Sequence, residues 1–222
     1  MSLQKIKEEI VKKLKVPVFP NRSFDVTSFG ADENGKNDST EAIQKAIDQA
    51  HQAGGGRVTV PEGVFLSGAL RLKSNVDLHI AKGAVIKFSQ NPEDYLPVVL
   101  TRFEGVELYN YSPLIYAYEA DNIAITGKGT LDGQGDDEHW WRWKIGTNGQ
   151  PSQEKDRNAL FEMAERGISV TARQFGKGHY LRPNFIQPYR CKHILIQGVT
   201  VLNSPMWQVH PEIGRASCRE RV

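Results

Sequence analysis

Short stretches of alternating apolar and polar residues, separated by glycines, fill the chain beyond residue 57. Residues 122–133 and 193–204 align without gaps, and residues 76–86 repeat the pattern with a shift of one residue. Alternation places every second side chain on one face of a strand, and a glycine allows the sharp bend to the next strand. The repeats therefore predict a solenoid of stacked coils. The alignment matches Ile123 with Ile194, Ile125 with Ile196, Gly127 with Gly198 and Leu131 with Leu202.

One amphipathic helix is predicted near residues 39–53, before the repeats begin. Asp38 and Glu41 fit a capping box at its start, and three glycines at 54–56 end it. A phosphate-binding loop is excluded, because such loops run from strand to glycines to helix, the reverse of the order here. We expect the helix to cap the open end of the solenoid, where core and strand edge would otherwise be exposed. Its apolar face comprises Ile43, Ala46, Ile47 and Ala50.

The rest of the chain divides into a lead-in, a solenoid domain and a tail. Residues 1–20 are lysine-rich and predict a short lead-in helix with Ile6, Ile10, Val11 and Leu14 on one face. No run is long and apolar enough for a secretory signal or a membrane span, so the chain as written is expected in the cytoplasm. Residues 21–211 form the predicted solenoid, interrupted at 134–181 by a charged, Trp-rich excursion.

The charge of the chain excludes a nucleic-acid partner. The formal net charge of +2 comes entirely from residues 213–222, with three arginines and one glutamate. The rest of the chain is neutral, so no basic patch is indicated. Outside that tail Cys191 is the only cysteine, which excludes a disulfide framework within the chain.

Three stretches of sequence carry a resemblance to a known family. Residues 29–80, from "FGADENGKND" to "VDLHI", resemble the N-terminal signature of parallel β-helix proteins of the pectin-lyase type. "NIAITGKGTLDGQG" (122–135) and "LRPNFIQPYRCKHILIQGVTVLNSPMWQVHP" (181–211) are similar to glycoside hydrolase family 28, the polygalacturonases. Residues 95–117 resemble the bacterial branch of that family. The resemblance spans about residues 18 to 211.

The resemblance implies an all-β, right-handed parallel β-helix that hydrolyses α-1,4-galacturonosyl bonds of pectin or oligogalacturonides by inversion. Inversion needs one carboxylic acid and one carboxylate base on opposite faces of the sugar. The family's catalytic aspartates lie in an Asn-Thr-Asp-Gly-x-Asp-like segment and an Asp-Asp pair, and a Gly-His-Gly and an Arg-x-Lys follow them. All four motifs come after a Ser-Pro-x-Trp-x-x-His-Pro stretch, which is Ser204–Pro211 here. None of the four follows that stretch in this sequence, so no catalytic residue is expected in it.

The last residues do not continue the family pattern. Residues 213–222 resemble the translation of a common sequencing adapter, so we expect residues 212–222 to be non-native. On this interpretation the chain is the N-terminal part of a longer enzyme, truncated at its C-terminus and inactive by itself. The resemblance further implies a monomer that needs no cofactor. Most of the family is secreted or periplasmic, which leaves the location of the parent open.

Two polar residues near the end of the pattern are candidates for substrate binding. Strand geometry places Trp207 and Val209 on one side and Gln208 and His210 on the other. If the apolar pair faces the core, Gln208 and His210 face a substrate groove. The alternative is an exposed strand face with no role.

Further candidates come from side chains that suit anionic sugars. Arg102 and Arg182 match a carboxylate with their planar guanidinium groups, and His179 is a third polar candidate. An Arg102–Glu104 structural pair is the competing interpretation. Trp140, in the run "WWRW", is a candidate platform for a sugar ring, and its alternative role is covering the core.

Other functions and ligands remain alternatives. The acidic run from Asp132 to His139 suggests calcium but lacks the spacing of an EF-hand loop, so no metal is expected there. A pectate lyase, which would act by calcium-dependent elimination, is the alternative enzyme. A non-catalytic carbohydrate-binding β-helix is the alternative outside enzymes.

Overall fold

The structure is a computed structural model that describes residues 2–6, 9, 15–146 and 151–212. Two five-stranded parallel sheets form most of it. Sheet A consists of β1 (Ser23–Asp25), β3 (Gly56–Val60), β6 (Val76–Ile80), β11 (Asp121–Gly127) and β15 (Lys192–Gln197) in spatial order. Sheet B consists of β2 (Asn34–Asp38), β4 (Gly63–Ser67), β7 (Ala84–Phe88), β12 (Thr130–Asp132) and β16 (Thr200–Leu202).

Two smaller sheets complete the strands of the described chain. Sheet C is parallel and contains β5 (Leu70–Arg71), β10 (Ile115–Tyr118) and β14 (Ile186–Tyr189). Sheet D contains the antiparallel hairpin of β8 (Val99–Phe103) and β9 (Val106–Asn110), with β13 (Gln174–Phe175) parallel to β9. The helices are α1 (Thr40–Gln52), α2 (Trp141–Ile145) and α3 (Gln153–Glu165). Short 3-10 turns lie at Val26–Phe29, Pro92–Tyr95 and Val170–Ala172.

From β3 to β14 the chain visits sheets A, B and C in turn, with one strand per sheet in each coil, and so forms a parallel β-helix. Residues 76–86, 122–133 and 193–204 take neighbouring places in sheets A and B, which confirms the predicted stacking. Ile123 pairs with Ile194 and Ile125 with Ile196, as the alignment of the repeats requires. Each strand directs its alternate apolar residues, such as Val76, Leu78 and Ile80, into the core.

The pairing predicted by the gapless alignment of residues 122–133 with 193–204 is wrong by one residue after the turn between sheets A and B. Leu131 pairs with Val201 rather than with Leu202, which pairs with Asp132. The coil that contains Leu131 has one more residue in its turn between sheets A and B. The pairing of β12 with β16 is therefore shifted by one residue relative to the sequence alignment. In consequence Leu131 is fully buried, whereas Leu202 is 44% exposed.

The predicted helix is present as α1. Its predicted apolar face is fully buried in the main core beside Val26 and Val58. The predicted capping box is not formed: the N-cap is Ser39, whose side chain makes no capping hydrogen bond, while Asp38 accepts from the Thr40 amide at 3.1 Å and Glu41 pairs with Lys45. Gly54 adopts φ +84°, so the glycine run ends the helix as predicted.

The excursion at 134–181 leaves the coils and builds a second, smaller core. It contains α2, α3 and β13, and it packs against the β8–β9 hairpin. This core consists of Phe103, Leu108, Leu160, Phe175 and Leu181. The hairpin and the excursion therefore form one structural unit on the side of the β-helix.

The predicted ends of the chain are described only in part. Residues 3–6 are helical, and Leu3 is 86% exposed. The other predicted face residues of the lead-in, Ile10, Val11 and Leu14, lie outside the described residues, as do the tail residues 213–222. None of the helices in the described part of the chain has the length and apolar character needed to cross a membrane.

Candidate functional site

The outer face of sheet C carries a row of polar and aromatic side chains. The strand register aligns Arg71, Tyr116 and Gln187 on three neighbouring strands. The next outward row contains Tyr118 and Tyr189, whose rings stack at 5.9 Å. The residues that alternate with these rows, such as Ile115, Ala117 and Ile186, point into the core. Strand periodicity thus places polar chemistry on one face of a sheet whose other face is apolar.

Residues 207–212 extend this face beyond β14. The amide of Ile186 donates to Gln208 O at 3.0 Å, and the amide of His210 donates to Ile186 O at 2.9 Å. Val209 therefore lies in register with Ile186, and His210 lies beside Gln187 in the outer row. The predicted outward orientation of His210 agrees with this register.

The imidazole of His210 is held by polar groups at both nitrogens. Nδ1 accepts from Asn184 Nδ2 at 2.9 Å and lies 3.2 Å from Gln187 Nε2, while Nε2 lies 3.0 Å from Glu212 Oε1. Amide NH₂ groups only donate, so Nδ1 is the acceptor and Nε2 carries the proton. Burial lowers the pKa of His210 from its ordinary value of 6.5, and the positive charge of Arg102 lowers it further, although Glu212 opposes them. His210 is therefore neutral and oriented.

The hairpin adds charged groups to the same face. Arg102 lies 3.4 Å from Glu212 and 3.9 Å from Glu107, and Arg190 lies 3.3 Å from Glu107. The Tyr189 hydroxyl donates to Glu107, and this hydrogen bond is the main reason that the pKa of Glu107 is lowered. The alternative Arg102–Glu104 pair is wrong, because Glu104 pairs with Arg157 at 2.7 Å.

Two predicted groove residues, Arg182 and His179, bind residues of α3 in the excursion instead of facing a groove. Arg182 is 8% exposed, and it donates to Gln153 Oε1 at 3.0 Å and to Pro205 O at 2.7 Å. His179 Nδ1 lies 2.8 Å from Asp156 on α3. Arg182 is enclosed and both its anchored nitrogens are occupied, so its prediction as a groove residue is wrong. His179 remains partly exposed but contacts α3. It does not belong to the His210 network, which consists of His210 and its partners Asn184, Gln187 and Glu212.

The predicted sugar platform is also wrong. Trp140 is 1% exposed, and its ring packs edge to face against Tyr95 at 5.4 Å and Trp143 at 5.1 Å. An enclosed ring offers no face to a sugar, so Trp140 belongs to the core, as the alternative interpretation stated.

The run around His210 departs from the expected alternation. Trp207 is 52% exposed and Val209 is 40% exposed, so neither is buried, although Val209 lies in register with the core residue Ile186. Gln208 makes its single side-chain hydrogen bond within the described chain to Val201 O at 3.4 Å. It therefore does not join His210 in the network.

The network offers hydroxyl, amide, imidazole and guanidinium groups in one place. Groups of this kind bind sugar hydroxyls and carboxylates through directed hydrogen bonds. Across the described ranges 2–6, 9, 15–146 and 151–212, no group of three or more His, Cys, Asp or Glu side chains is placed to hold a metal ion.

Comparisons with known proteins point to one family. The family described as "Rhamnogalacturonase A/epimerase, pectate lyase-like" matches residues 23–91. A probable polygalacturonase from Vitis vinifera is 29% identical over 87% of this chain. The structure of an exopolygalacturonase from Thermotoga maritima shares 53% identity and a TM-score of 0.90 over 94% of this chain. The chain belongs to the polygalacturonases, glycoside hydrolase family 28.

The chain is shorter than these polygalacturonases. It covers 35% of the Vitis vinifera protein and 48% of the Thermotoga maritima chain. A family 28 exopolygalacturonase from Yersinia enterocolitica matches with a TM-score of 0.58 and 25% identity, over 84% of this chain and 35% of its own.

Most of the residues around His210 and Glu107 were not predicted from the sequence. Asn184, Gln187 and Tyr189 lie in "LRPNFIQPY", which was used for the family resemblance but not for the site. The alternation in "IYAY" and "IQPY" was a usable signal, because it places every second residue on the outer face. The hydrogen bonds of Glu107 had no local signal, since the partners Tyr189 and Arg190 are 82 and 83 residues away.

Proposed function

We propose that this chain belongs to an enzyme that hydrolyses α-1,4-galacturonosyl bonds of pectin or oligogalacturonides with inversion. The observation that supports this most is the 53% identity with the Thermotoga maritima exopolygalacturonase, which extends over nearly the whole chain. The outer face of sheet C would hold the substrate, with His210 and Arg102 contacting the sugar next to the cleaved bond and the buried Gln187 orienting His210.

The same resemblance supports finer features of the fold. The β-helix is right-handed, and α1 closes its N-terminal end. The packing of α1 against β1, β3 and β5 agrees with a closing role, because its apolar face would otherwise leave the coil interior open.

The catalytic carboxylates lie in a longer parent, and the chain as written does not cleave pectin. The four family motifs that carry and follow the catalytic aspartates do not occur after Ser204–Pro211, where the family has them, within residues 1–222. General acid–base catalysis contributes only when both carboxyl groups are within reach of their protons. The residues described here supply binding and positioning.

The test compares the chain with the parent gene read from the source DNA beyond codon 211. With polygalacturonate, the parent should release reducing ends, and the 222-residue chain should not exceed a boiled control. Release by the chain would contradict the assignment of the carboxylates, and a parent that forms unsaturated products instead would be a lyase.

In the parent, His210→Ala should weaken substrate binding or turnover, seen as a raised KM or a lowered kcat, more than it weakens folding, because the imidazole positions substrate. Arg166→Ala, on the exposed end of α3, is the matched control and should leave both constants unchanged. Unchanged kinetics for His210→Ala would remove His210 from the site.

A further inference from the structure

A second cavity lies on the outer face of sheet C, at the base of the β8–β9 hairpin. Its volume is about 410 Å³, within the range of small-molecule sites. Its lining includes Arg71, Lys73, Val99, Tyr109, Tyr116 and Tyr118. It is therefore a mixed surface of cationic side chains and tyrosine rings, and none of its residues takes part in the His210 network.

The hairpin separates this cavity from His210. Leu100 O accepts from the Tyr116 hydroxyl at 2.5 Å, Thr101 Oγ1 donates to Gln187 at 2.5 Å, and Arg102 pairs with Glu212. Strand β8 thus passes from the cavity to the network across successive coils. Adjacent strands lie about 4.8 Å apart, so the backbones of Arg71 and His210, three strands apart, are about 14 Å from each other.

A ladder of tyrosine rings ends at the cavity. Tyr189 and Tyr118 stack at 5.9 Å and 16°, and Tyr118 lies 6.3 Å from Tyr116 at 22°. Tyr118 is 40% exposed and lines the cavity on the side of β5. Aromatic rings bind the apolar face of a sugar, so a pyranose in the cavity would continue the stack.

Arg71, which lies beside these tyrosine rings, has a side chain without a partner in the described chain. The backbone of Arg71 is fixed by Gln44, which donates to Arg71 O at 3.1 Å and accepts from its amide at 2.8 Å. The side chain of Arg71 is exposed, and within the described chain its guanidinium forms no hydrogen bond or ion pair. Lys73 is already paired with Asp48 at 2.8 Å. Arg71 is thus free to bind a carboxylate bidentately.

We propose that this cavity is a secondary binding site for a hexuronate residue, with its ring on Tyr118 and its carboxylate on Arg71. It lies on the same outer face of sheet C as the candidate active site, but on the other side of the β8–β9 hairpin from His210, and would hold a neighbouring part of a pectic chain at the surface. The choice of galacturonate as ligand rests on the proposed function.

The test measures trigalacturonate binding by calorimetry to the 222-residue chain carrying His210→Ala, so that the network does not contribute. Arg71→Gln should weaken binding at least about fivefold, with Arg71→Lys in between, and neutral galactotriose should bind more weakly than trigalacturonate. Arg166→Gln is the charge-matched control and should bind as the parent variant does. Arg71 has no side-chain partner in the described chain, so melting temperatures should be equal.

Equal affinity of Arg71→Gln, no detectable trigalacturonate binding, or equal affinity for galactotriose would each overturn the secondary site. The proposed function is tested separately by reducing-end release from the parent enzyme. Arg71-dependent binding with an inactive parent would refute the hydrolase and keep the site. An active parent with Arg71-independent binding would refute only the site.

Discussion

Gly127 lies against the carbonyl group of Ile80 on the neighbouring coil, where no side chain fits. Its φ is +115°, and a Cβ atom at this position would overlap the Ile80 oxygen, far inside the 3.0 Å that real Cβ atoms keep. The same oxygen accepts from the amides of Lys128 and Gly129 at 2.9 and 3.0 Å. Gly127 thus allows two coils to make their closest approach at the turn between sheets A and B.

Gly127→Ala should lower the free energy of unfolding by about 3 kcal/mol or more, because both strain and overlap with a backbone atom oppose the methyl group. Gly105→Ala is the control, since Gly105 also has a positive φ of +89° but no atom within 4 Å of a Cβ. It should cost about 1–2 kcal/mol. Equal losses in urea unfolding would show that the contact with Ile80 is unimportant.

The coils could be predicted from sequence because their determinants are local. Alternation and glycine placement identified the segments of β6, β11 and β15, and the pairing of Ile123 with Ile194 follows from them. The error at Leu131 has a different origin. Turn length between sheets varies by one residue, and a slip of one residue reverses which side chains face the core.

The candidate site could be predicted only where strand alternation sufficed. His210 faces outward as expected, but its partners Asn184 and Gln187 come from the preceding coil. Arg182 and Trp140 were misplaced because residues 134–181 leave the coils, so repeat geometry gives no information there. Trp140 is buried in the main core and Arg182 is held by Gln153 at the start of α3, and both arrangements are set by contacts distant in sequence.

The pKa of His210 should be below 6.5, with the proton of the neutral ring on Nε2. Burial disfavours the charged imidazole, and so does nearby Arg102. The folded state therefore binds this proton less tightly than the unfolded chain, so the contribution of His210 to stability is complete above pH 6.5 and is lost as the pH falls below it. An NMR titration of the ring nitrogens measures both the pKa and the tautomer.

Glu212→Gln should lower the pKa of His210 further, because Glu212 is the group that raises it. Glu162→Gln, on the exposed end of α3, is the control and should leave the titration unchanged. A pKa at or above 6.5 in the unsubstituted chain, or a proton on Nδ1, would contradict the described network.

Tyr189→Phe should raise the pKa of Glu107 towards its ordinary value of 4.5, because the Tyr189 hydroxyl is the main group lowering it. Loss of a hydrogen bond to a charged group should cost about 1–3 kcal/mol at neutral pH. A lowered carboxyl pKa contributes stability above pH 4.5 that is lost as the pH falls through the folded-state value, so the variant should lose less stability on acidification.

Tyr118→Phe is the control for this pair. Its hydroxyl accepts from Arg190 at 3.3 Å and also hydrogen-bonds to the Glu119 side chain, at a more exposed position. Tyr118→Phe should therefore lower the free energy of unfolding at neutral pH by less than Tyr189→Phe does. It should leave the loss of stability at acidic pH as it is in the unsubstituted chain. Identical pH profiles of unfolding for the two variants would refute the special role of the Tyr189–Glu107 hydrogen bond.

Arg182→Lys should loosen α3 from the β-helix. The guanidinium of Arg182 donates in two directions, to Gln153 at the start of α3 and to Pro205 O after β16. One ammonium group cannot occupy both positions of this planar fork, so a buried acceptor loses its donor at a cost of about 1–3 kcal/mol.

Amide hydrogen exchange in Gln153–Glu165 should accelerate more than exchange in β11 and β15, which keep their ladder. Arg166→Lys, whose side chain is 69% exposed, should leave exchange unchanged in both regions. Uniform acceleration of α3 and the β-helix strands would instead mean that Arg182 supports the whole fold rather than the attachment of the excursion.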